Sequence, residues 1–283
     1  MKTLIAAPEL LDACKGRHPP VLLDCSFDLA DPAAGERAWQ ASHPPGSLYV
    51  HLDRDLAGPL RDASGRFLGR HPLPTREAFA QTLGRLGIGP DTPVVGYDAQ
   101  GGPFAARCWW MLRWMGHADV AVLDGGLAAW RAAGGAMTAE ASPPKAVGAY
   151  PLRPPAMATV DADTLATRLG RLPLIDARPP ERFRGEVEPI DAAAGHIPGA
   201  RNRCFKDNLG ADGRFKPAVA LRAEWQPLLA GKAAADVVQQ CGSGVTACHN
   251  LLALAHAGLG DSVLYPGSWS EWSADPARPQ ARG

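Results

Sequence analysis

Short runs of valine, isoleucine and leucine alternate along the chain with longer stretches in which apolar residues recur at helical spacing. Runs such as Val21-Leu22-Leu23 and Val94-Val95 lack the alternation of polar and apolar residues that marks a strand with one solvent-facing side. They predict strands that are buried on both faces, and therefore mostly parallel sheets flanked by helices. Helical spacing is clear over Thr75 to Leu86 and over Phe104 to Met115. The pattern predicts an α/β fold.

The chain contains an internal repeat, because four landmarks occur twice in the same order. They are an apolar strand ending in aspartate (21–24 and 172–176), a His-Pro-Gly turn (42–46 and 195–200), a second strand (94–98 and 237–241) and an apolar run that leads to tryptophan (122–130 and 263–272). The order predicts two α/β domains side by side. We place the first at residues 1–138 and the second at residues 159–283.

The predicted linker, residues 139–158, lies in a stretch from Gly134 to Pro155 that is rich in alanine, proline and glycine. It includes Ser142-Pro143-Pro144 and Arg153-Pro154-Pro155. Such a composition resists both helix and sheet, so we expect a semi-rigid connection that crosses the surface.

The second strand of the later repeat ends in a cysteine. Cys241 is followed by Gly242-Ser243-Gly244-Val245-Thr246-Ala247, and a helical pattern begins at Cys248. This order predicts a strand, a tight loop and a helix N-terminus, where backbone N–H groups converge and the helix dipole adds positive charge. A thiol placed there is expected to ionise readily, and the thiolate is the nucleophilic form. We interpret Cys241 as a nucleophile in a loop that also holds an anionic substrate.

The first repeat has Asp98 at the position that corresponds to Cys241, followed by Ala99-Gln100-Gly101-Gly102-Pro103. A carboxylate cannot act as a soft sulfur nucleophile, so the first domain is not expected to carry out the chemistry. We expect it to contribute one wall of a cleft, since small-molecule sites are common where domains meet.

On these motifs the chain resembles the two-domain rhodanese-type sulfurtransferases, over roughly residues 5 to 275. The loop Cys241–Ala247 is similar to that of the 3-mercaptopyruvate sulfurtransferase branch. The segments 195–200 and 267–272 are further signatures of the family. The resemblance implies two tandem rhodanese-like domains and a double displacement. Cys241 would take sulfur from 3-mercaptopyruvate or thiosulfate as a persulfide and pass it to cyanide, a thiol or a dithiol protein of the thioredoxin-like type.

The resemblance also implies roles for further residues. Arg182 falls where the family binds the carboxylate or sulfonate end of the donor, which suits the forked guanidinium. Ser243 falls where the branch relays a proton at the substrate thiol, with His71 and Asp53 of the first domain as its partners. The other substrate-binding residues of the loop are Gly242, Gly244, Val245 and Thr246.

One departure from the family leaves the identity of the sulfur donor undecided. Relatives of this branch carry a second substrate arginine in the loop before the Gly-His-Ile-Pro-Gly motif, and Ile190 stands near that place here. Arg201 and Arg203 are the candidates we consider as replacements. A thiosulfate-specific enzyme therefore stays an alternative.

Composition narrows the function classes. The 283 residues are 46% hydrophobic, with a formal net charge of zero, so there is no electrostatic case for a nucleic-acid partner or an anionic membrane. No apolar stretch reaches the length of a membrane span, and the first residues do not resemble a signal peptide. Six scattered cysteines indicate free thiols in the cytoplasm. Neither metal-ligand nor nucleotide motifs occur, so we expect no cofactor and no metal.

Two other classes share such a loop. A cysteine phosphatase requires an arginine six positions after its cysteine, and Ala247 stands there. A persulfide carrier without enzymatic turnover keeps the same cysteine and differs only in its kinetics. Cys248 is a candidate resolving thiol, although we expect its helix to direct it elsewhere.

Overall fold

The computed structural model describes residues 2–283, which divide into two compact units. Unit 1 contains residues up to Ala57, Pro74–Ala156 and Ala211–Arg214. Unit 2 contains Gly58–Leu73, Met157–Gly210 and Phe215–Gly283. No helix in residues 2–283 combines the length and the apolar character needed to span a membrane.

Unit 1 is built on a five-stranded parallel sheet in the order β1-β5-β4-β2-β3. The strands are β1 (Leu4–Ile5), β2 (Val21–Asp24), β3 (Leu48–Tyr49), β4 (Val94–Tyr97) and β5 (Val120–Leu123). The helices are α1 (Ala7–Ala13), α2 (Ala34–Ala41), α3 (Leu52–Asp55), α4 (Arg76–Arg85), α5 (Pro103–Trp114) and α6 (Gly126–Ala132).

Unit 2 is built on a four-stranded parallel sheet in the order β7-β6-β8-β9. The strands are β6 (Leu174–Asp176), β7 (Ala200–Asn202), β8 (Val238–Gln240) and β9 (Val263–Leu264). The helices are α7 (Ala162–Thr167), α8 (Pro180–Phe183), α9 (Ala218–Leu229), α10 (Thr246–His256) and α11 (Ser268–Ala274), with 3-10 turns at Phe205–Asn208 and Ala234–Asp236. Thr159 forms a parallel bridge to Leu264 where unit 1 has β1. The two sheets therefore have the same strand order.

The predicted α/β class and the duplication are confirmed by these two parallel sheets. The predicted helices at Thr75 to Leu86 and Phe104 to Met115 are α4 and α5. Thr75 caps α4, because its side chain accepts a hydrogen bond from the N–H of Ala78 at 3.1 Å. Each unit has its own apolar core, and in unit 2 both Trp269 and Trp272 are fully buried in it.

The compact units differ from the predicted domain ranges at residues 211–214, which group with unit 1, and over a longer stretch at residues 58–73. This segment lies in the chain within the predicted first domain, yet its contacts are with the rest of unit 2. Arg66 donates to Asp163 at 2.7 Å and to Glu271 at 3.2 Å. Gly69 lies so close to Gly267 that an added Cβ would be 2.8 Å from the Gly267 carbonyl oxygen. These polar and backbone contacts fix the segment, which has no apolar strand pattern of its own.

The predicted linker contains no helix or strand, and most of it is held against unit 1. The N–H of Val147 donates to the Gly84 carbonyl at 2.9 Å, and the N–H of Tyr150 donates to the Ala80 carbonyl at 3.0 Å. The Tyr150 side chain is buried and lies with its hydroxyl 3.1 Å from Nδ1 of His117. Unit 2 resumes at Met157.

Candidate active site

Cys241 lies in the loop between β8 and α10, at the carboxyl end of a central strand of the unit 2 sheet. Its side chain is buried. Its backbone N–H donates to Ser268 Oγ at 3.1 Å, and its carbonyl accepts from the Trp269 N–H at 3.0 Å. The start of α11 therefore fixes the backbone on both sides of the cysteine, which keeps the sulfur in one position.

Gly244 shapes the loop around the sulfur. Its N–H donates to Cys241 Sγ at 3.1 Å, so a backbone dipole is directed at the atom expected to carry negative charge. Gly244 has φ +74°, and an added Cβ would lie 2.4 Å from the Pro266 carbonyl oxygen. Only glycine satisfies both conditions, because other residues adopt this φ at a cost and would also collide with Pro266.

In the corresponding loop of unit 1, backbone N–H groups converge on the carboxylate of Asp98. Asp98 Oδ1 accepts from the N–H groups of Gln100 and Gly102 at 2.9 and 2.8 Å. Its Oδ2 accepts from those of Phe104 and Ala105, both at 3.0 Å. Burial raises the pKa of Asp98, while these hydrogen bonds act in the opposite direction. A loop of this design thus binds an anion with backbone donors, and in unit 1 the chain supplies that anion itself.

Ser243 and His71 are brought into direct contact. Ser243 Oγ lies 2.8 Å from His71 Nδ1, and both side chains are buried. Both residues belong to unit 2, since His71 lies in the segment 58–73. Asp53 is the second residue of α3 in unit 1, so its place in a proton relay stays a prediction.

Arg182 lies on α8 with its guanidinium beside the cysteine loop. An added Cβ on Gly242 would be 3.6 Å from Arg182 Nη1 and 3.8 Å from Nη2. Arg182 Nη2 donates to Glu188 Oε1 at 2.7 Å and to Asp191 Oδ2 at 2.9 Å. Two carboxylates of the loop that follows α8 therefore orient the predicted donor-binding arginine.

Arg70 is a charged neighbour of the loop that the sequence analysis did not identify. Its Nη2 lies closer to Gly242 than Arg182 does, 3.0 Å from the position of an added Cβ. Its Nη1 donates to the same Asp191 carboxylate, through Oδ1. The one signal in the sequence is its position immediately before His71.

The two arginines considered as replacements for the missing loop arginine have other partners. Arg201 donates to the carbonyls of Pro227 and Leu228 at 3.2 and 3.0 Å. Arg203 donates to Glu224 at 2.5 Å and lies over the ring of Trp225. The α9 region therefore binds both guanidinium groups.

Arg178 is a fully buried arginine that stabilises the loop beside the site. Its guanidinium donates several hydrogen bonds to the Asp176 carboxylate, including one from Nη2 to Oδ2 at 2.7 Å. Nη2 also donates to the Gly195 carbonyl at 2.7 Å. Its guanidinium carbon lies 4.9 Å from the ring centre of Trp269. Because its guanidinium is held by Asp176, the Gly195 carbonyl and the Trp269 ring, Arg178 supports the loop that carries Glu188 and does not bind a donor.

The helix that follows the loop contains a second cysteine, Cys248. Val245 is the N-cap of α10 and Thr246 is its first residue. Cys248 Sγ donates to the Gly244 carbonyl oxygen at 3.3 Å, so it contacts the backbone of the loop from the first turn of α10. Among residues 2–283 no three His, Cys, Asp or Glu side chains are grouped to hold a metal ion.

Comparisons with known proteins identify the family of the chain. The rhodanese-like domain family matches residues 7–133 and 161–275. A probable 3-mercaptopyruvate sulfurtransferase of Pseudomonas aeruginosa is 49% identical and is covered over 98% of its length by 99% of this chain. A putative thiosulfate sulfurtransferase of Mycobacterium tuberculosis is 42% identical over 98% of its length and all of this chain. The solved structure of 3-mercaptopyruvate sulfurtransferase from Leishmania major superposes with a TM-score of 0.84 at 30% identity, over 96% of this chain and 74% of that one. The chain belongs to the rhodanese family and carries two rhodanese-like domains in tandem.

Proposed function

We propose that the protein is a sulfurtransferase that carries sulfur on Cys241 and takes it preferentially from 3-mercaptopyruvate. The observation that carries the proposal is the buried Cys241 sulfur, which accepts a hydrogen bond from the Gly244 N–H in a loop whose Ser243 contacts His71. A nucleophile, a proton-transfer pair and the Arg182 guanidinium meet at one loop. Together they supply what transfer from an anionic thiol donor needs.

The reaction divides into two displacements. The Cys241 thiolate attacks the donor sulfur, an S–S bond forms, and the carbon–sulfur bond of the donor breaks. The bonding electrons leave on the enolate of pyruvate, which takes up a proton to give pyruvate. Ser243 and His71 take the proton from the donor thiol and return one to the leaving group. The acceptor then attacks the outer sulfur of the Cys241 persulfide and restores the thiolate.

The preference for 3-mercaptopyruvate over thiosulfate rests on the Ser243–His71 contact at 2.8 Å. Thiosulfate has no thiol proton at neutral pH, so a proton relay does not help its transfer, whereas the thiol donor requires one. The relatives carry the names of both donors. A side-by-side measurement of kcat/KM with cyanide as acceptor tests the choice. A clear preference for 3-mercaptopyruvate supports it, and a preference for thiosulfate establishes the alternative of a thiosulfate-specific enzyme.

The proposed physiological acceptor is a thiol or a dithiol protein of the thioredoxin-like type, in the cytoplasm. None of the six cysteines, all within the described chain, forms a disulfide, in keeping with a reducing compartment. Turnover separates an enzyme from a carrier. With excess donor and dithiothreitol as the acceptor, an enzyme releases many sulfur atoms per chain, whereas a carrier takes up one and stops.

The phosphatase alternative is disfavoured at one position. Ala247, at the start of α10, is fully buried where such an enzyme needs an arginine on the phosphate. Hydrolysis of p-nitrophenyl phosphate by wild type, lost on Cys241→Ser, would contradict the proposed function.

A further inference from the structure

We propose that Arg66 is a positioning residue of the sulfur-transfer reaction, because it anchors the segment 58–73 in the place that brings His71 to Ser243. Arg66 acts through this segment, and we assign it no contact with the donor. The inference rests on the proposed function, in which the Ser243–His71 pair moves the proton of a thiol donor.

The segment 58–73 is a closed hairpin with an exposed tip and a buried base. The N–H of Leu68 donates to the Leu60 carbonyl at 2.9 Å, and the N–H of Gly58 donates to the Pro72 carbonyl at 2.8 Å. These bonds join the two arms of the hairpin along its length. His71 lies in the buried base. A displacement of the tip is therefore transmitted to the histidine.

Arg66 attaches the tip to the rest of unit 2. Its Nη1 donates to Asp163 Oδ2 at 2.7 Å, and its Nη2 donates to Asp163 Oδ1 at 3.3 Å and to Glu271 Oε1 at 3.2 Å. Exposed ion pairs contribute little when isolated, but a two-bond contact within a network contributes more. The network includes Arg278, whose side chain is 9% exposed and donates to Asp163 at 3.1 Å. The hydrogen bond between Arg66 and Asp163 raises the pKa of the arginine and lowers the pKa of the aspartate.

The tip borders a cavity, so apolar packing is a poor substitute for these ion pairs. The cavity has a volume of about 630 Å³. Its walls include Arg61, Arg66 and Phe67 of the segment and Asp163, Glu271 and Arg278 of the facing elements. Leu60, on the same hairpin, is 52% exposed. Without the Arg66 contacts, the tip would have room to move.

The Arg66–Glu271 contact also ties the hairpin to the helix that fixes the nucleophile. Glu271 lies on α11, where its Oε2 accepts from the Tyr265 hydroxyl at 3.0 Å. At the start of α11, Ser268 Oγ accepts from the Cys241 N–H at 3.1 Å. One helix thus holds the backbone of Cys241 and the hairpin that carries the proton-transfer histidine. The contact therefore sets the position of the histidine relative to the sulfur.

The kinetic experiment compares Arg66→Ala and Arg66→Lys with Arg37→Ala. Arg37 is a matched control in unit 1, because it is exposed and donates two hydrogen bonds to Asp31, at 3.3 and 2.5 Å. We expect Arg66→Ala to lower kcat with 3-mercaptopyruvate by about 10-fold or more, because small displacements of a reacting group have effects of this size. The kcat with thiosulfate should change little, since that donor brings no thiol proton. Arg66→Lys should recover part of the loss, because lysine keeps the charge without the fork. Arg37→Ala should leave both values unchanged.

A second readout does not depend on turnover. Hydrogen exchange followed by mass spectrometry measures how often the backbone of the segment 58–73 opens. We expect Arg66→Ala to speed exchange in peptides from this segment several-fold and to leave exchange in α10 unchanged. Arg37→Ala should alter neither region.

The outcomes separate this inference from the proposed function. If Arg66→Ala matches Arg37→Ala in kcat with 3-mercaptopyruvate, or lowers kcat equally with both donors, the Arg66 assignment is wrong and the function stands. If kcat falls with 3-mercaptopyruvate while exchange in the segment 58–73 is unchanged, Arg66 does not act through the segment and the assignment is again wrong. If wild type transfers no sulfur, the proposed function fails, and hydrogen exchange alone then decides whether Arg66 anchors the hairpin.

Discussion

His71 Nδ1 lies 2.8 Å from Ser243 Oγ, although 172 positions separate the two residues in the chain. The contact joins the segment 58–73 to the loop that carries Cys241, and both residues lie within unit 2. The titratable ring of His71 therefore contacts Ser243, which follows the nucleophile Cys241 by two positions in the chain. A histidine in hydrogen-bond contact with a hydroxyl is the usual arrangement for moving a proton through that hydroxyl.

Ser243→Ala tests whether this contact serves the thiol donor. We expect kcat with 3-mercaptopyruvate to fall by about 100-fold or more, the typical effect of losing a general acid–base group. Activity with thiosulfate should change by only a few-fold, because that donor brings no thiol proton. Steady-state kinetics with both donors, on the same protein preparation, measure the ratio. Equal losses with the two donors would leave Ser243 a packing role in the loop.

Gly244→Ala tests the geometry of the loop. The added Cβ would lie 2.4 Å from the Pro266 carbonyl oxygen at φ +74°, so the loop must move and the N–H directed at the sulfur moves with it. We expect loss of most activity and a stability loss of about 1–3 kcal/mol.

Gly199→Ala is the matched control for that substitution. Gly199 has φ +80° and nothing within 4 Å of an added Cβ, so it carries the backbone strain without the collision. We expect a small loss of stability and full activity. If the two variants were equally active, the Gly244 N–H contact would not matter for catalysis.

Asp98→Ala tests the role of the Asp98 carboxylate as the hydrogen-bond acceptor of the unit 1 loop. The substitution leaves four backbone N–H groups without their acceptor, so we expect the free energy of unfolding to fall by about 3 kcal/mol or more. Asp98→Asn keeps one oxygen as an acceptor and should cost less. Chemical denaturation of both variants measures the difference. A smaller loss for Asp98→Ala than for Asp98→Asn would contradict the role assigned to the carboxylate.

His117 predicts a pH dependence of stability. Burial lowers the pKa of His117 from its ordinary value of 6.5, against a weaker effect of nearby backbone carbonyls and of Asp119. The folded state therefore prefers the neutral ring, while the unfolded chain binds a proton below pH 6.5. This contribution is present above that pH and is lost as pH falls through the lower value in the folded protein. The Tm should fall between about pH 7.5 and about pH 5.5, and His117→Gln should reduce that fall. An identical pH profile for the variant would rule out this contribution.

The parts of the site that sequence could predict are those encoded by adjacent residues. The strand, the Cys241-Gly242-Ser243-Gly244 loop and the helix α10 follow one another in the chain, so the local pattern determined their arrangement. The two-domain organisation followed from the duplication, because each apolar run had a counterpart in the other half of the chain. Helix α4 was predicted from its apolar spacing alone.

Arg70 could not be predicted, because its position depends on long-range contacts. Residues 58–73 contain no periodic apolar pattern, and ion pairs such as Arg66 with Asp163 hold the segment in unit 2. No local rule indicates which distant carboxylate an arginine will find. The same reason explains why the domain ranges drawn from the repeat do not describe where this segment lies.

The central claim is that Cys241 carries the transferred sulfur, and intact-protein mass spectrometry tests it most directly. Wild type and Cys241→Ser are each incubated with 3-mercaptopyruvate, separated from excess donor, and measured before and after cyanide. We predict that wild type gains the mass of one sulfur atom and loses it to cyanide as thiocyanate, while Cys241→Ser gains none. A gain of sulfur that persists in Cys241→Ser, or a wild type that turns over without ever carrying sulfur, would contradict the account.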